Sequence, residues 1–144
     1  YEPVGVDNQP IAIQKDDVKT YSWKNKTILI VEDNYPGFVL LQNYLLQTRI
    51  KVVHASNGEE AVNICKNNAD INLVLMDIQL PGMNGFEATA MIKKIRKELP
   101  VIAETAYVTT EDAILAQNAG FDDYLTKPIE KDKLLFVLSK YLST

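Results

Sequence analysis

Short apolar runs of strand length, each followed by a stretch of helical period, dominate the chain from Lys24 onward and constrain its fold more than any other feature. The runs lie at 27–31, 51–54, 72–76, 101–104 and 123–125. Three of them are rich in Val, Ile or Leu, as strands buried on both faces must be. Strands alternating with helical patterns predict βα units around a parallel sheet. Five such units fit within 144 residues, a length that suits one domain with one core.

The helix boundaries carry their own signals. Asn34 precedes the first helix, with Pro36 early in it, where a missing N–H costs nothing. Residues 56–58 open the second, and Glu59 and Glu60 place negative charge at its positive end. Asn84 with Glu87 three residues on forms an approximate capping box for the third. Thr109 or Thr110 opens the fourth, followed by Glu111 and Asp112, and Gly120 is placed to end it. The fifth is expected over 130–142, where Leu134, Leu135, Val137, Leu138, Tyr141 and Leu142 share one broad apolar face. Residues 1–23 hold two prolines and no sustained period, so they read as a linker preceding a domain at 24–144, with Trp23 packing the linker's end onto that domain.

Composition narrows the class. A chain 47% hydrophobic and 24% charged is an ordinary globular protein. Its net charge of -4 and scattered basic residues argue against a nucleic-acid surface. The densest basic run, Lys93, Lys94, Arg96 and Lys97, reads as the solvated face of a helix. The single cysteine, Cys65, excludes an internal disulfide and suits a buried apolar role in a reducing, cytoplasmic compartment. No apolar run approaches the ~20 residues of a membrane span, so no membrane contact by this domain is expected. No signal peptide is visible and the first residue is not Met, so the chain reads as a piece of a longer protein.

In an open parallel α/β sheet, ligands bind beyond the carboxyl ends of the strands. Glu32 and Asp33 follow the first run, Asp77 the third, Thr105 the fourth and Lys127 the fifth. Three carboxylates, a hydroxyl and an ammonium therefore converge on one rim. Carboxylates crowded to ~4 Å repel by about 4 kcal/mol per pair at an effective dielectric near 20. A hard divalent cation relieves this, and Mg²⁺ suits a site with few carboxylates and room for phosphate oxygens. Lys127 offers a point charge for a second anion. An Asp facing both can attack a phosphoryl donor and hold the aspartyl-phosphate. Each residue also has a local reading. An acidic pair can cap a helix, Asp77 can open an Asx-turn, Lys127-Pro128 can end a strand, and Thr105 can satisfy nearby backbone. Their convergence on one rim favours the chemical reading.

The stretches ILIVEDN, LVLMDIQLPGMNGFE, PVIAETAY and DDYLTKPI, in that order, resemble the receiver domain of bacterial two-component response regulators over roughly residues 26–142. The resemblance implies a doubly wound, five-stranded, flavodoxin-like (βα)5 fold with Asp77 as phosphoacceptor. It implies Asp33 as a direct Mg²⁺ ligand, Glu32 acting through a bound water, and the Gln79 backbone carbonyl as a further ligand. Lys127 resembles the phosphate-pairing lysine, followed by Pro128 behind a peptide bond commonly cis in the family. Thr105 and Tyr124 resemble the switch pair, and Pro81 and Gly85 match the loop after the acceptor. Gln79 and Tyr107 occupy positions that tune phosphoryl lifetime, and the Tyr107 ring is expected to exclude water. Glu104 stands where the family has an apolar or neutral residue, and its side chain is expected to point to solvent. His54, the sole histidine, reads as a half-exposed strand residue and not a phosphohistidine.

The linker-like opening YEPV and the join YSWKNKTILIVEDN resemble the junction between a histidine-kinase ATP-binding domain and a fused receiver. The resemblance implies a hybrid sensor histidine kinase, with a parent that can be anchored in the inner membrane. Its partners would be a kinase transmitter domain, a histidine phosphotransfer domain, or both. A monomer or a weak dimer through the helix 4–strand 5–helix 5 face is expected. The alternatives are a stand-alone single-domain regulator, a degenerate receiver acting only by interaction, and a Mg²⁺-dependent phosphohydrolase. The last would carry its nucleophile and a second Asp two residues later at the end of strand one, where this chain has Glu32-Asp33. On the first reading the isolated domain is a self-phosphorylating acceptor and not a turnover enzyme.

Overall fold

The computed structural model describes residues 20–106 and 109–142. Five strands and five helices alternate: β1 Thr27–Val31, α1 Tyr35–Leu45, β2 Lys51–Ala55, α2 Gly58–Asn67, β3 Leu73–Asp77, α3 Gly85–Ile95, β4 Val101–Thr105, α4 Thr110–Ala119, β5 Asp123–Thr126 and α5 Lys131–Leu142. A short 3-10 turn, Leu46–Thr48, follows α1. The strands form one parallel sheet in the order β2-β1-β3-β4-β5. The chain thus builds outward from β1 to β2, then crosses back to β3 on the other side. That reversal opens a crevice between the carboxyl ends of β1 and β3.

Strand parity divides the interior into two cores. Ile28, Ile30, Leu73, Leu75 and Ile102 face α1 and α5, where Phe38, Leu41, Leu45, Leu134 and Leu138 cover them. Leu29, Val31, Val74, Met76 and Val101 face α2 and α3, against Ala61, Val62, Cys65, Ala88 and Ile92. Fully burying one such aliphatic side chain stabilises the fold by roughly 1.5–3 kcal/mol. Both faces of β1, β3 and β4 are buried throughout. This accounts for the unbroken apolar runs that mark them in the sequence.

The caps fall where the sequence places them. Asn34 accepts from Gly37 N–H, Asn57 from Glu60 N–H and Thr109 from Asp112 N–H. Asn84 and Glu87 close a full capping box, and Gly120 ends α4 at φ 99°. The basic run at the end of α3 and just beyond it departs from expectation. Lys94 and Lys97 are exposed, but Lys93 bonds the Leu99 carbonyl at 2.8 Å and Asp122 at 2.7 Å. Arg96 donates to the carbonyls of Asn68, Ala69 and Ile71 at 3.1, 3.3 and 2.8 Å. These two cations tie down the turns at the amino ends of β3 and β4 instead of lining a solvated face.

Of the residues expected to form the linker, 1–19 lie outside the described residues. Trp23 is 5% exposed and belongs to the α1/α5 core. Its N–H donates to the Thr48 carbonyl at 2.7 Å, and Tyr21 stacks on its ring at 5.0 Å. The described helices include none long and apolar enough to cross a membrane.

Candidate active site

The crevice at the β1/β3 reversal is built from four strand ends. β1 delivers Glu32 and Asp33, the first buried at 4% exposure and the second exposed. The Glu32 N–H continues the ladder to the Ala55 carbonyl at 2.9 Å, and its Oε2 accepts from Asn34 N–H at 3.1 Å. The Glu32 carbonyl lies 2.8 Å from His54 Nε2, and the imidazole stacks on Phe38 at 3.9 Å between centroids. His54 is a half-buried strand residue, as expected, and it also braces the loop that carries the acidic pair.

Asp77 ends β3, with 3% of its surface exposed. Its Oδ1 accepts from Gln79 N–H at 2.9 Å and its Oδ2 from Lys127 Nζ at 3.1 Å. Lys127 follows β5 and is held by its own N–H on the Thr105 carbonyl at 2.7 Å. The Lys127–Pro128 peptide is cis. Glu32, Asp33 and Asp77 each bring one carboxylate oxygen within 4.8 Å of the others. This cluster of hard oxygens, with Lys127 on one flank, fits a divalent cation of the Mg²⁺ kind.

The loop after Asp77 requires glycine at one point. A Cβ on Gly85 would meet the Asp77 carbonyl oxygen at 2.5 Å and Ile78 Cα at 2.6 Å, so α3 starts in direct contact with the backbone of Asp77. Pro81 is exposed in that loop. Thr105 ends β4 and is 7% exposed. Together with Ile78, Ala103, Asp112, Ala113, Ala116 and Tyr124 it lines a cavity of about 20 Å³ beneath α4. The Tyr124 ring stands outward, 48% exposed. Tyr107 lies outside the described residues.

One residue falls elsewhere than the sequence suggests. Glu104, expected in solvent, is 1% exposed. The cause is register. Glu104 pairs with Asp77 across β3/β4, and it sits two residues after Ile102, so it points into the α1/α5 side beneath the site. Its Oε1 lies 3.8 Å from Lys127 Nζ, and the Glu32 and Asp77 carboxylates are close enough to act on it. As a carboxylate, Glu104 would leave Oε2 buried with no hydrogen-bond donor. Burial pushes its carboxyl up to about 9, helped by the hydrogen bond and charge of Glu32 and offset in part by Lys127. Burial also raises Glu32, opposed by its hydrogen bonds with Glu104 and Asn34. For Lys127, burial alone would lower the ammonium. The hydrogen bond and charge of Asp77, with Glu104 and Glu32, outweigh it and raise the group above its ordinary value.

An open, doubly wound sheet with an acidic cluster and a lysine across its switch point defines an α/β class whose ligands bind in that crevice. A family model described as the response regulator receiver domain matches residues 28–139, and the chain belongs to that family. It is 36% identical over 137 residues to the sensor protein GacS of Pseudomonas syringae pv. syringae, covering 92% of this chain and 15% of that protein. The chain thus spans about a seventh of that relative's length. The receiver domain of sensor histidine kinase PA1611 from Pseudomonas aeruginosa PAO1, solved with magnesium in its active-site cleft, superposes with a TM-score of 0.77. It is 29% identical and is matched over 83% of this chain and 99% of that one. The Saccharomyces cerevisiae receiver Ssk1, solved with the histidine phosphotransfer protein Ypd1, gives a TM-score of 0.78 at 32% identity, covering 86% of this chain and 92% of that one.

Proposed function

We propose that this receiver takes a phosphoryl group from a phosphohistidine onto Asp77 and relays the event as a change of shape. The observation that carries the proposal is the position of the Asp77 carboxylate. Its Oδ2 sits 3.1 Å from Lys127 Nζ, and its neighbours Glu32 and Asp33 lie within 4.8 Å. An Asp77 oxygen attacks phosphorus, the phosphorus–nitrogen bond breaks, and the histidine nitrogen leaves with the electron pair. Lys127 then pairs with a phosphoryl oxygen, and the Thr105 hydroxyl donates to another. Asp33, Asp77 and the Gln79 carbonyl would hold Mg²⁺, with Glu32 acting through a water. When bound, the cation offsets the charge of the carboxylates and the incoming phosphoryl group. Gln79 and Tyr107 correspond to the positions that tune acyl-phosphate lifetime in the family.

The readout follows from the added charge and acceptor oxygens near Thr105 and Lys127. As Thr105 moves toward the phosphoryl group, the Tyr124 ring turns into the space behind it. The 20 Å³ cavity there holds little more than a water molecule, so the ring enters only if α4 shifts. α4 has no buried side chain, which makes it the element with least to lose by moving. Its exposed Ile114 and Leu115, with Tyr124 and Phe136, supply the α4–β5–α5 face for a partner or a weak dimer.

In the cell we place this cytoplasmic domain in a hybrid histidine kinase, after a linker at 1–23. A transmitter domain or a histidine phosphotransfer domain would be its partner. Similarity to GacS over a small fraction of that protein supports this context. The deciding experiment is incubation with acetyl phosphate and MgCl₂, followed by intact mass. A gain of one phosphate that Asp77→Asn abolishes is expected. Steady turnover of the donor would instead indicate a phosphohydrolase, and no gain an interaction module.

A further inference from the structure

Lys127 stands beyond the least buried strand of the sheet. β5 lies at the edge, has four residues and buries only Leu125. Apolar packing therefore does little to fix its carboxyl end, and polar contacts must hold the turn that follows. The Lys127 N–H donates to the Thr105 carbonyl at 2.7 Å. The Tyr44 hydroxyl donates to the Ile129 carbonyl at 3.1 Å. These two supports differ in kind. Thr105 belongs to the side of the site that moves on phosphorylation in the reading above. Tyr44 sits on α1, three residues after Leu41 and next to Leu45, both buried. Its ring packs against the α1/α5 core, to which Ile129 also belongs. A tyrosine so placed brings a polar tip to the turn from a body fixed by packing.

We propose that Tyr44 is a positioning residue for Lys127. Its hydroxyl ties the turn 127–129 to α1, so that the ammonium keeps its place 3.1 Å from Asp77 Oδ2 while Thr105 and α4 move. α1 follows directly on Glu32 and Asp33, so one helix locates the acidic pair before its first turn and the lysine turn through its last. Phenylalanine fills the same space without the donor, and the role therefore resides in the hydroxyl.

This inference rests on Lys127 pairing with the phosphoryl group, and its test can fail separately from that reading. Tyr44→Phe keeps the ring and removes the hydroxyl. In protein carrying isotope-labelled lysine, with Lys127 assigned through Lys127→Arg, Tyr44→Phe should displace the Lys127 Cε resonance. Its initial rate of labelling by acetyl phosphate with MgCl₂, read by intact mass, should fall about 3- to 10-fold, the scale of one net hydrogen bond. Both measurements are made well below each melting temperature, so lost stability alone moves neither. Tyr141→Phe is the control. It removes a hydroxyl bonded to the Asp122 carbonyl at 3.0 Å, at the far end of β5, and should change neither readout. A Lys127 resonance that stays in place overturns the inference, as does an unchanged labelling rate or an equal slowing in Tyr141→Phe. Wild type that takes label at the same rate as Tyr44→Phe sinks only the Tyr44 role. Wild type that takes none sinks the phosphoacceptor reading, and the resonance still decides whether Tyr44 places Lys127.

Discussion

Asp123, at the start of β5, accepts from three donors: Lys140 Nζ at 2.9 Å, the Tyr141 hydroxyl at 3.3 Å and Tyr124 N–H at 2.9 Å. Burial pushes its carboxyl up, and the bonds from Lys140, Tyr124 and Tyr141 more than reverse this, leaving it below its ordinary 3.8. A depressed carboxylate stabilises the fold above its unfolded value, and that contribution is lost as pH falls through the lower folded value. Asp123→Asn should therefore cost under about 1 kcal/mol at neutral pH, the scale of a partly exposed ion pair. The gap from wild type should close as pH drops below 3.8. Urea melts at both pH values check this, and a gap that persists in acid would remove the ion pair as its cause. At this scale the sequence was legible where a residue's place follows from the end of a strand, as for Glu32, Asp77 and Lys127. It misled at Glu104, although the needed signal was present. β4 reads as a strand buried on both faces, and in such a strand the residue two after Ile102 cannot face water. His54 bracing the Glu32 carbonyl had no local signal, because it depends on β1 and β2 pairing in one particular register.

α3 joins two kinds of constraint at its first turn. Asn84 supplies the capping box, which governs the helix alone. Gly85 supplies an absence of side chain that the Asp77 carbonyl requires at 2.5 Å. Asn84→Ala should cost about 1 kcal/mol of stability and leave acetyl phosphate uptake intact. Gly85→Ala must displace the backbone around Asp77, at roughly 1–3 kcal/mol for overpacking, and should reduce uptake as well. Equal uptake by the two variants would show that the close approach does not matter to Asp77. The helix ends were the most legible elements, because caps are local chemistry. The least legible was the basic run at the carboxyl end of α3. Whether Lys93 and Arg96 meet water or carbonyls depends on turns brought to them from other parts of the chain.

Across the described residues, the sheet separates two cores, and the candidate site sits on one of its rims. Trp23 closes the opposite edge of the α1/α5 core, over the turn at Thr48 and beside Leu142. Trp23→Ala should cost about 3–5 kcal/mol, as for other large aromatic side chains removed from a core. Urea unfolding followed by far-ultraviolet circular dichroism measures it, and a loss under about 1 kcal/mol, the range of an ordinary surface change, would mean the anchor is superficial. The same residue has a spectroscopic consequence. It is the single tryptophan in the chain, so all indole emission has one origin. At about 3.3 Å per residue, the length of β1 sets that origin roughly 15 Å from the rim. A change in its colour or intensity therefore reports the seating of the upstream segment, in light that no other residue emits.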